Sequence, residues 1–192
     1  CFPLTPGVSC YAGNPALQPE KSRSGEVGIE VRESSRRVRV SAYRNRVRNL
    51  VNTSAAFPYG LINEASATLQ GIELDADGRE GQLTWRVNAG SQSAEDERGQ
   101  DLVRRPQGTF NGLLQLNATD ALTLGAELRA RSSAQDGGQR LGGYTLFNVF
   151  AGWEALPSLT LGARLENAGN KDYQEVLGYR TAPRSGYLTA TY

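Results

Sequence analysis

Nine short stretches in which apolar and polar residues alternate run through this chain, and they constrain its fold more than any single motif does. The clearest stretch is 122–131, where Leu and Ala alternate with polar and charged residues. Successive side chains of a strand point to opposite faces, so each stretch has one apolar and one polar face. A helix would repeat every ~3.6 residues. The pattern therefore predicts an all-β protein.

The lengths of the connections between these stretches alternate between short and long. The predicted strands are 22–32, 36–50, 61–76, 81–91, 103–117, 121–131, 144–154, 158–167 and 185–192. The short connections are 33–35, 77–80, 118–120 and 155–157, and the long ones are 51–60, 92–102, 132–143 and 168–182. Short turns at one end and long loops at the other are typical of antiparallel transmembrane β-barrels, whose long loops are extracellular. The apolar parity changes at Gly71, which predicts a β-bulge there.

The polar parity carries charged residues, among them Glu26, Arg86, Glu127 and Arg164. A charge facing lipid at the bilayer midplane costs roughly 2–4 kcal/mol, so these side chains are expected to face a watery lumen. Nine strands are an odd number, whereas bacterial single-chain barrels have even numbers. An open edge in lipid would leave backbone groups unpaired. We therefore expect the chain to be the carboxyl-terminal part of a larger barrel.

Composition excludes several classes of protein. The 21 basic and 20 acidic residues nearly balance and no basic block stands out, so no nucleic-acid partner is expected. No run approaches the ~18 apolar residues of a membrane-spanning helix. The chain has no histidine, and no convincing nucleophile–base pair is present. We expect no catalytic residue, no cofactor and no metal site.

Both cysteines, Cys1 and Cys10, lie ahead of the first predicted strand. We favour a disulfide between them, because the sequence offers neither another cysteine nor a histidine as partner. It would close a ten-residue loop, contribute about 2.5–3 kcal/mol and imply an oxidising compartment. The alternative is two unpaired thiols in a loop.

Five segments, taken in order, resemble the carboxyl-terminal half of TonB-dependent outer-membrane receptors. They are 14–22, with its Asn-Pro-Ala-Leu-Gln-Pro-Glu, then 43–51, 63–74, 165–173 and 178–192. The resemblance implies a barrel of about 22 strands in the outer membrane of a Gram-negative cell. Residues 1–21 would form an extracellular loop and 22–192 the barrel portion. It also implies lipid and lipopolysaccharide as surroundings, and coupling to TonB through an amino-terminal plug that this sequence does not contain.

The last of these segments resembles the carboxyl-terminal signature of the family. The matching residues are Gly178, Tyr179, Arg184 and the aromatic final residue Tyr192. The family usually has Gly before the arginine, whereas this chain has Pro183. Because proline cannot donate to a strand ladder, the last strand is expected to begin after it.

Within the family, the tail 178–182 and the Leu102–Arg105 segment look most like cobalamin receptors. In those receptors an arginine of such a pair contacts substrate, and Arg104 is the matching position, with Arg105 beside it. Two arginines at a strand mouth can bind amide, phosphate or carboxylate groups. The alternative is that they are solvated at the rim or bind lipopolysaccharide phosphates. The loop 132–143 lacks the aromatic residue that cobalamin receptors often carry there.

Aromatic residues in the long loops, namely Phe57, Tyr59 and Tyr179, are further candidates for ligand contact. Their alternative role is loop packing or an interfacial aromatic girdle. The sequence thus predicts a receptor that imports cobalamin. A ferric-siderophore receptor is the first alternative, followed by an outer-membrane barrel enzyme and a soluble β-sandwich binding module.

Overall fold

The computed structural model describes residues 11–53 and 59–192. Nine long strands in this part of the chain match the nine predicted strands in order. They are β2 (Lys21–Arg32), β3 (Arg36–Thr53), β4 (Tyr59–Glu80), β5 (Leu83–Asp96), β6 (Gly108–Asn117), β7 (Leu122–Arg131), β10 (Tyr144–Leu156), β11 (Leu159–Glu166) and β12 (Ser185–Thr191). Three short strands were not predicted: β1 (Tyr11–Ala12), β8 (Ala134–Asp136) and β9 (Gln139–Leu141).

The long strands form one antiparallel sheet in which each strand pairs with its neighbours in the sequence. The order is β12-β11-β10-β7-β6-β5-β4-β3-β2, so β2 and β12 are the two edges within the described residues. Strand β1 adds a short parallel pairing to β4, and β8 pairs with β9 as a separate hairpin. The described residues include no helix that is long and apolar enough to cross a membrane.

Turns and loops segregate to the two ends of this sheet, as predicted. One end, called here the short-turn end, carries the connections 33–35, 81–82, 118–121 and 157–158. The other, the long-loop end, carries the connections 97–107, 132–143 and 167–184. The last strand begins at Ser185, after Pro183, as the absence of a proline N–H requires.

Several predicted strand boundaries were wrong, among them the ends of the second and fourth long strands, which lie at Thr53 and Asp96. The third long strand runs from Tyr59 to Glu80, so the turn predicted at 77–80 lies instead at 81–82, where Gly81 has a φ of +59°. The fifth begins at Gly108 rather than at Val103. The predicted start of this strand contains Arg104, whose φ of +59° is incompatible with extended strand geometry.

The predicted bulge at Gly71 was also wrong. Pairing between β3 and β4 continues without a shift through Tyr43–Gly71 and its neighbours. The parity changes because β4 extends beyond the apolar part of the sheet. From Ile72 toward the long-loop end, the outward face of β4 becomes polar. The apolar residues there lie on the opposite face instead, where Ala67 is 1% exposed.

The two faces of the sheet differ in composition along its whole width. The apolar face carries the band Val27, Ile29, Val31, Val38, Val40, Ala42, Ile72, Leu74, Val87, Leu114, Leu124, Leu128, Phe147, Leu161 and Leu188. Much of it is exposed, including Ile29 at 74% and Leu188 at 87%. No second sheet covers this face in the described residues. A soluble sandwich would bury it, whereas a barrel in lipid leaves it outward.

Candidate functional site

Three connections at the long-loop end meet at the Asp136 side chain. Its Oδ1 accepts a hydrogen bond from Arg104 Nε at 3.0 Å, and its Oδ2 accepts one from the Leu177 N–H at 2.8 Å. Asp136 is only 3% exposed. This carboxylate therefore fastens the β5–β6 loop and the β11–β12 loop to the β8–β9 hairpin.

Local sequence explains why a hairpin forms within 132–143. Gly137 and Gly138 follow Asp136, and their φ angles of +55° and +78° lie in the left-handed region that a two-residue hairpin turn requires. The Asp-Gly-Gly sequence is a signal for this turn. It was available in the sequence, but the segment was predicted only as a long loop, so both the hairpin and Asp136 were missed.

Arg104 is held on the hairpin at two points. Its backbone N–H donates to the Gln135 carbonyl oxygen at 2.8 Å, while its side chain, 55% exposed, donates through Nε to Asp136. Among the residues that the structure describes, its two Nη groups donate no hydrogen bond. Arg104 thus presents fixed cationic donors at the surface.

The negative charge of Asp136 is favoured by these contacts. The Leu177 N–H, and then the Arg104 guanidinium, hold the pKa of the Asp136 carboxyl below its usual value, against an opposing contribution from burial. The carboxylate remains ionised at neutral pH and keeps both loops attached.

The other predicted ligand residues are not brought into one cluster. Arg105 is exposed beside Arg104, and Tyr179, 72% exposed, follows Gly178 (φ +81°) in the β11–β12 loop. Tyr59 is the first residue of β4, and its side chain lies outside the description. Phe57 lies outside the described residues.

Cys1 and Cys10 also lie outside the described residues, so their disulfide stays a prediction.

The β11–β12 loop is organised by asparagines from the family-like segment 165–173. Asn167, 5% exposed with a φ of +48°, accepts from the Lys171 N–H at 2.8 Å and donates to the Lys171 carbonyl at 2.9 Å. Asn170 accepts from the Arg184 N–H at 3.0 Å. Segment 165–173 therefore shapes this loop, and its Asn170 side chain holds the backbone of Arg184.

Aromatic and charged residues anchor the same loop to the sheet. The rings of Tyr144 and Tyr173 lie 4.3 Å apart, and the Tyr144 hydroxyl donates to Glu175 Oε1 at 2.5 Å. The Arg131 guanidinium lies 5.6 Å from the Tyr144 ring centroid, in a cation–π arrangement. The sequence analysis had not singled out Tyr144 or Glu175.

Below this loop the polar face of the sheet forms a concavity of about 370 Å³. Its floor carries an ion-pair network in which Arg164 donates to Glu127 Oε2 at 2.5 Å and to Glu166 Oε1 at 2.8 Å. Asn148 donates to the same Glu127 carboxylate at 3.2 Å. Glu127 and Arg164, two of the charges predicted to face the lumen, therefore lie on one face and are paired with each other.

Comparison with known proteins adds to this geometry. Residues 4–168 match the family model described as TonB dependent receptor-like, beta-barrel. The chain is 32% identical over 168 residues to the vitamin B12 transporter BtuB of Vibrio vulnificus strain YJ016, which covers 85% of the chain and 27% of that protein. It is 27% identical to BtuB of strain CMCP6, covering 97% of the chain and 32% of that protein. The chain thus spans about a third of the length of these curated relatives.

Solved structures share the fold at lower identity. The siderophore receptor PirA of Acinetobacter baumannii aligns with a TM-score of 0.80 at 17% identity, over 95% of the chain and 33% of that structure. The ferric enterobactin receptor PfeA of Pseudomonas aeruginosa aligns at 0.79 and 19%, over 95% of the chain and 32% of that structure. Proteins of this family are outer-membrane transport receptors rather than enzymes, and interaction with TonB is general among them. The chain belongs to the TonB-dependent receptor family and forms part of its β-barrel.

Proposed function

We propose that the receptor containing this chain imports a cobalamin, which it binds at the long-loop end with Arg104 as a contact. The observation that carries this proposal is the 32% identity to a vitamin B12 transporter over 85% of the chain. The fixed position of Arg104 supports it, because this residue matches the arginine inferred from the resemblance and its Nη groups donate to no described residue.

The chemistry of Arg104 suits such a ligand. A cobalamin offers amide and phosphate oxygens, and guanidinium donors form strong charge-assisted hydrogen bonds to acceptors of this kind. Because Asp136 already orders the guanidinium through Nε, less side-chain entropy is lost on binding. The neighbouring Arg105 and the exposed Tyr179 are second candidates for contact with the ligand.

Ferric siderophores are the second candidate ligands. The solved structures that align with the chain include receptors named for siderophores, ferric enterobactin among them. Their identities of 17% and 19% support a shared fold alone. In either case we propose that energy for import comes from the TonB system, which acts on a part of the receptor outside this chain.

The test is binding of labelled cobalamin, beside a panel of ferric siderophores, to cells that express the complete receptor. Arg104→Ala is expected to weaken cobalamin binding by about tenfold, the loss of roughly one charge-assisted hydrogen bond. Arg140→Ala is the matched control. Arg140 is an exposed arginine of the same hairpin region that bonds only to Ser133 Oγ among the described residues. It is expected to leave binding unchanged.

Each alternative outcome has a defined meaning. Binding of one siderophore with none of cobalamin would replace the ligand and keep the receptor. Cobalamin binding that is equally strong in Arg104→Ala and in the wild type would keep the ligand and remove Arg104 from its site. If both arginine variants weaken binding equally, loss of positive charge at the rim, rather than a contact by Arg104, accounts for the effect.

A further inference from the structure

Five basic side chains gather on the apolar side of the sheet, beyond the apolar band and toward the long-loop end. This basic patch consists of Lys21, Arg23, Arg44, Arg46 and Arg48. All five are exposed. Its members have the same parity on β2 and β3 as the residues of the apolar band, so the patch lies on the apolar face and points away from the lumen.

The strand register places like charges directly beside each other. Arg23 is paired with Arg46, and Lys21 with Arg48, in the β2–β3 ladder. Directly opposite side chains have Cβ atoms about 5 Å apart, and like charges in this arrangement are destabilising. An anion seated between the two strands would offset this repulsion.

No carboxylate offsets it among the described side chains, where none of the five basic residues takes part in an ion pair. Among the acids whose side chains the structure describes, two lie near the patch and both are engaged. Glu20 accepts a hydrogen bond from the Val51 N–H at 2.8 Å. Glu95, on β5, accepts one from Ser93 Oγ at 2.6 Å and is separated from β3 by the whole of β4.

The position of the patch along the strands indicates which part of the membrane it contacts. Arg44 follows Ala42, the last apolar residue of the band on β3, and Gly25 opposite it precedes Val27. Two residues along a strand cover about 7 Å, so the lowest basic side chain begins immediately above the lipid-facing band. In a receptor of this family the long-loop end is extracellular, which places the patch at the headgroups of the outer leaflet.

We propose that the basic patch binds the phosphate groups of lipid headgroups in the outer leaflet of the membrane. Guanidinium groups bind phosphate oxygens with two parallel hydrogen bonds, and four of the five side chains are arginines. The occupant is a lipid rather than a dissolved anion, because the patch is continuous with the surface that contacts acyl chains. A diphosphorylated glycolipid spans both parts, its phosphates on the patch and its chains on the apolar band below.

The experiment uses the complete receptor, purified in detergent, and native mass spectrometry to count bound lipid. The probes are diphosphorylated lipid A and the same lipid with both phosphates removed. Retention of the diphosphorylated form is expected to exceed that of the dephosphorylated form by roughly tenfold or more, since one charge-assisted bond already contributes about that factor. Retention is also expected to fall as salt rises, because the patch is exposed.

Two double variants test whether the preference for phosphorylated lipid arises at the basic patch. Arg46→Gln with Arg48→Gln removes two charges from the patch and is expected to abolish the preference for phosphorylated lipid. Arg32→Gln with Arg36→Gln removes two charges from the same strand pair at the short-turn end, where both arginines are in exposed ion pairs, and is expected to preserve that preference.

Three results would overturn the proposal. Equal retention of the two lipids by the wild type would do so without any variant, which matters if the patch variant fails to assemble. An unchanged preference in the patch variant would place the phosphate site elsewhere. Complete displacement of the lipid by millimolar inorganic phosphate would show that the occupant is a dissolved anion.

Discussion

Arginines on the two faces of strand β3 have opposite electrostatic surroundings. On the lumen face, Arg37 donates to Asp77 Oδ1 at 2.6 Å and Arg39 to Glu26 Oε1 at 2.6 Å. On the outward face toward the long-loop end, Arg44 and Arg46 take part in no ion pair with any described side chain. The outward arginines beyond the apolar band, at the long-loop end, therefore lack the internal counter-ions that Arg37 and Arg39 have on the lumen face. At the short-turn end the outward Arg36 is paired with Glu80.

The difference follows from what each face contacts. Charges that line a confined lumen are partly withdrawn from water, so partner carboxylates stabilise them. Outward residues meet lipid within the apolar band, where charge is excluded, and meet headgroups and water beyond it. Variants that move a charge from one environment to the other test this difference most strongly.

The largest effect is expected when an arginine is placed in the apolar band. Leu114, 54% exposed on the outward face of β6, and Leu113, on the lumen face beside it, provide adjacent sites. Leu114→Arg is expected to destabilise the assembled receptor by up to roughly 2–4 kcal/mol, because the charge must enter lipid. Leu113→Arg is expected to be tolerated better, because it faces the polar concavity near Glu127.

The measurement is the fraction of complete receptor that reaches the outer membrane and migrates as a folded barrel in unheated detergent samples. Equal loss in both variants would contradict the assignment of the two faces.

A glycine on the lumen face provides the next largest effect. A Cβ added at Gly125 would lie only 2.1–2.6 Å from three atoms of the Phe150 ring, and the Arg164 guanidinium lies 5.7 Å from the centroid of that ring. Gly125→Ala is expected to destabilise the receptor by about 1–3 kcal/mol through overpacking. Gly152→Ala is the control, because a Cβ there meets nothing within 4 Å. Denaturant unfolding of the two variants in the same detergent compares them, and similar midpoints would mean that Phe150 moves aside freely.

Much of this architecture was predictable from sequence, because a period of two is imposed by strand geometry and by lipid on one side. The order of nine strands, the segregation of loop lengths and the lumen charges of segment 122–131 were read correctly for that reason. The bulge at Gly71 was wrong because the rule that one face is apolar holds only within the bilayer. Strand β4 continues past it, so the change of parity marks the membrane boundary.

The candidate site was less predictable. Arg104 was identified from a resemblance, but its partner Asp136 lies 32 residues further along the chain, in a hairpin whose turn signal was overlooked. Contacts such as Tyr144–Glu175 join a strand end to a loop, and no periodicity specifies them. The basic patch could not be recognised from the sequence, because its members alternate with lumen-facing residues. They become neighbours only through the register of β2 against β3.

Removing one partner of a lumen ion pair is expected to have a smaller effect than either change above. Glu127→Gln leaves Arg164 with Glu166 alone, and because both groups of the lost pair are about a third exposed, the cost is expected to be near 1 kcal/mol. A double-mutant cycle with Arg164→Gln measures the coupling directly. Glu80→Gln, which breaks the exposed Arg36–Glu80 pair outside the lumen, is the control and is expected to change stability little. Equal costs would mean that confinement in the lumen adds nothing to these pairs.

The smallest effect is expected from the paired charge at the long-loop end, where Asp136 holds a loop rather than the barrel. Its pKa is lowered in the folded state, so the carboxylate stabilises the loop above its unfolded pKa of about 3.9, and this stabilisation is lost as pH falls through the folded value. Hydrogen exchange at the Leu177 amide, corrected for intrinsic rate, is expected to be slow at neutral pH and to accelerate below pH ~4. In Asp136→Asn it is expected to be faster at neutral pH and to lose this acceleration, while exchange in β7 stays unchanged. A wild-type amide whose corrected rate does not vary with pH would show that the Leu177 loop is held by Asn167 and Tyr173 instead, and that Asp136 orders Arg104 alone.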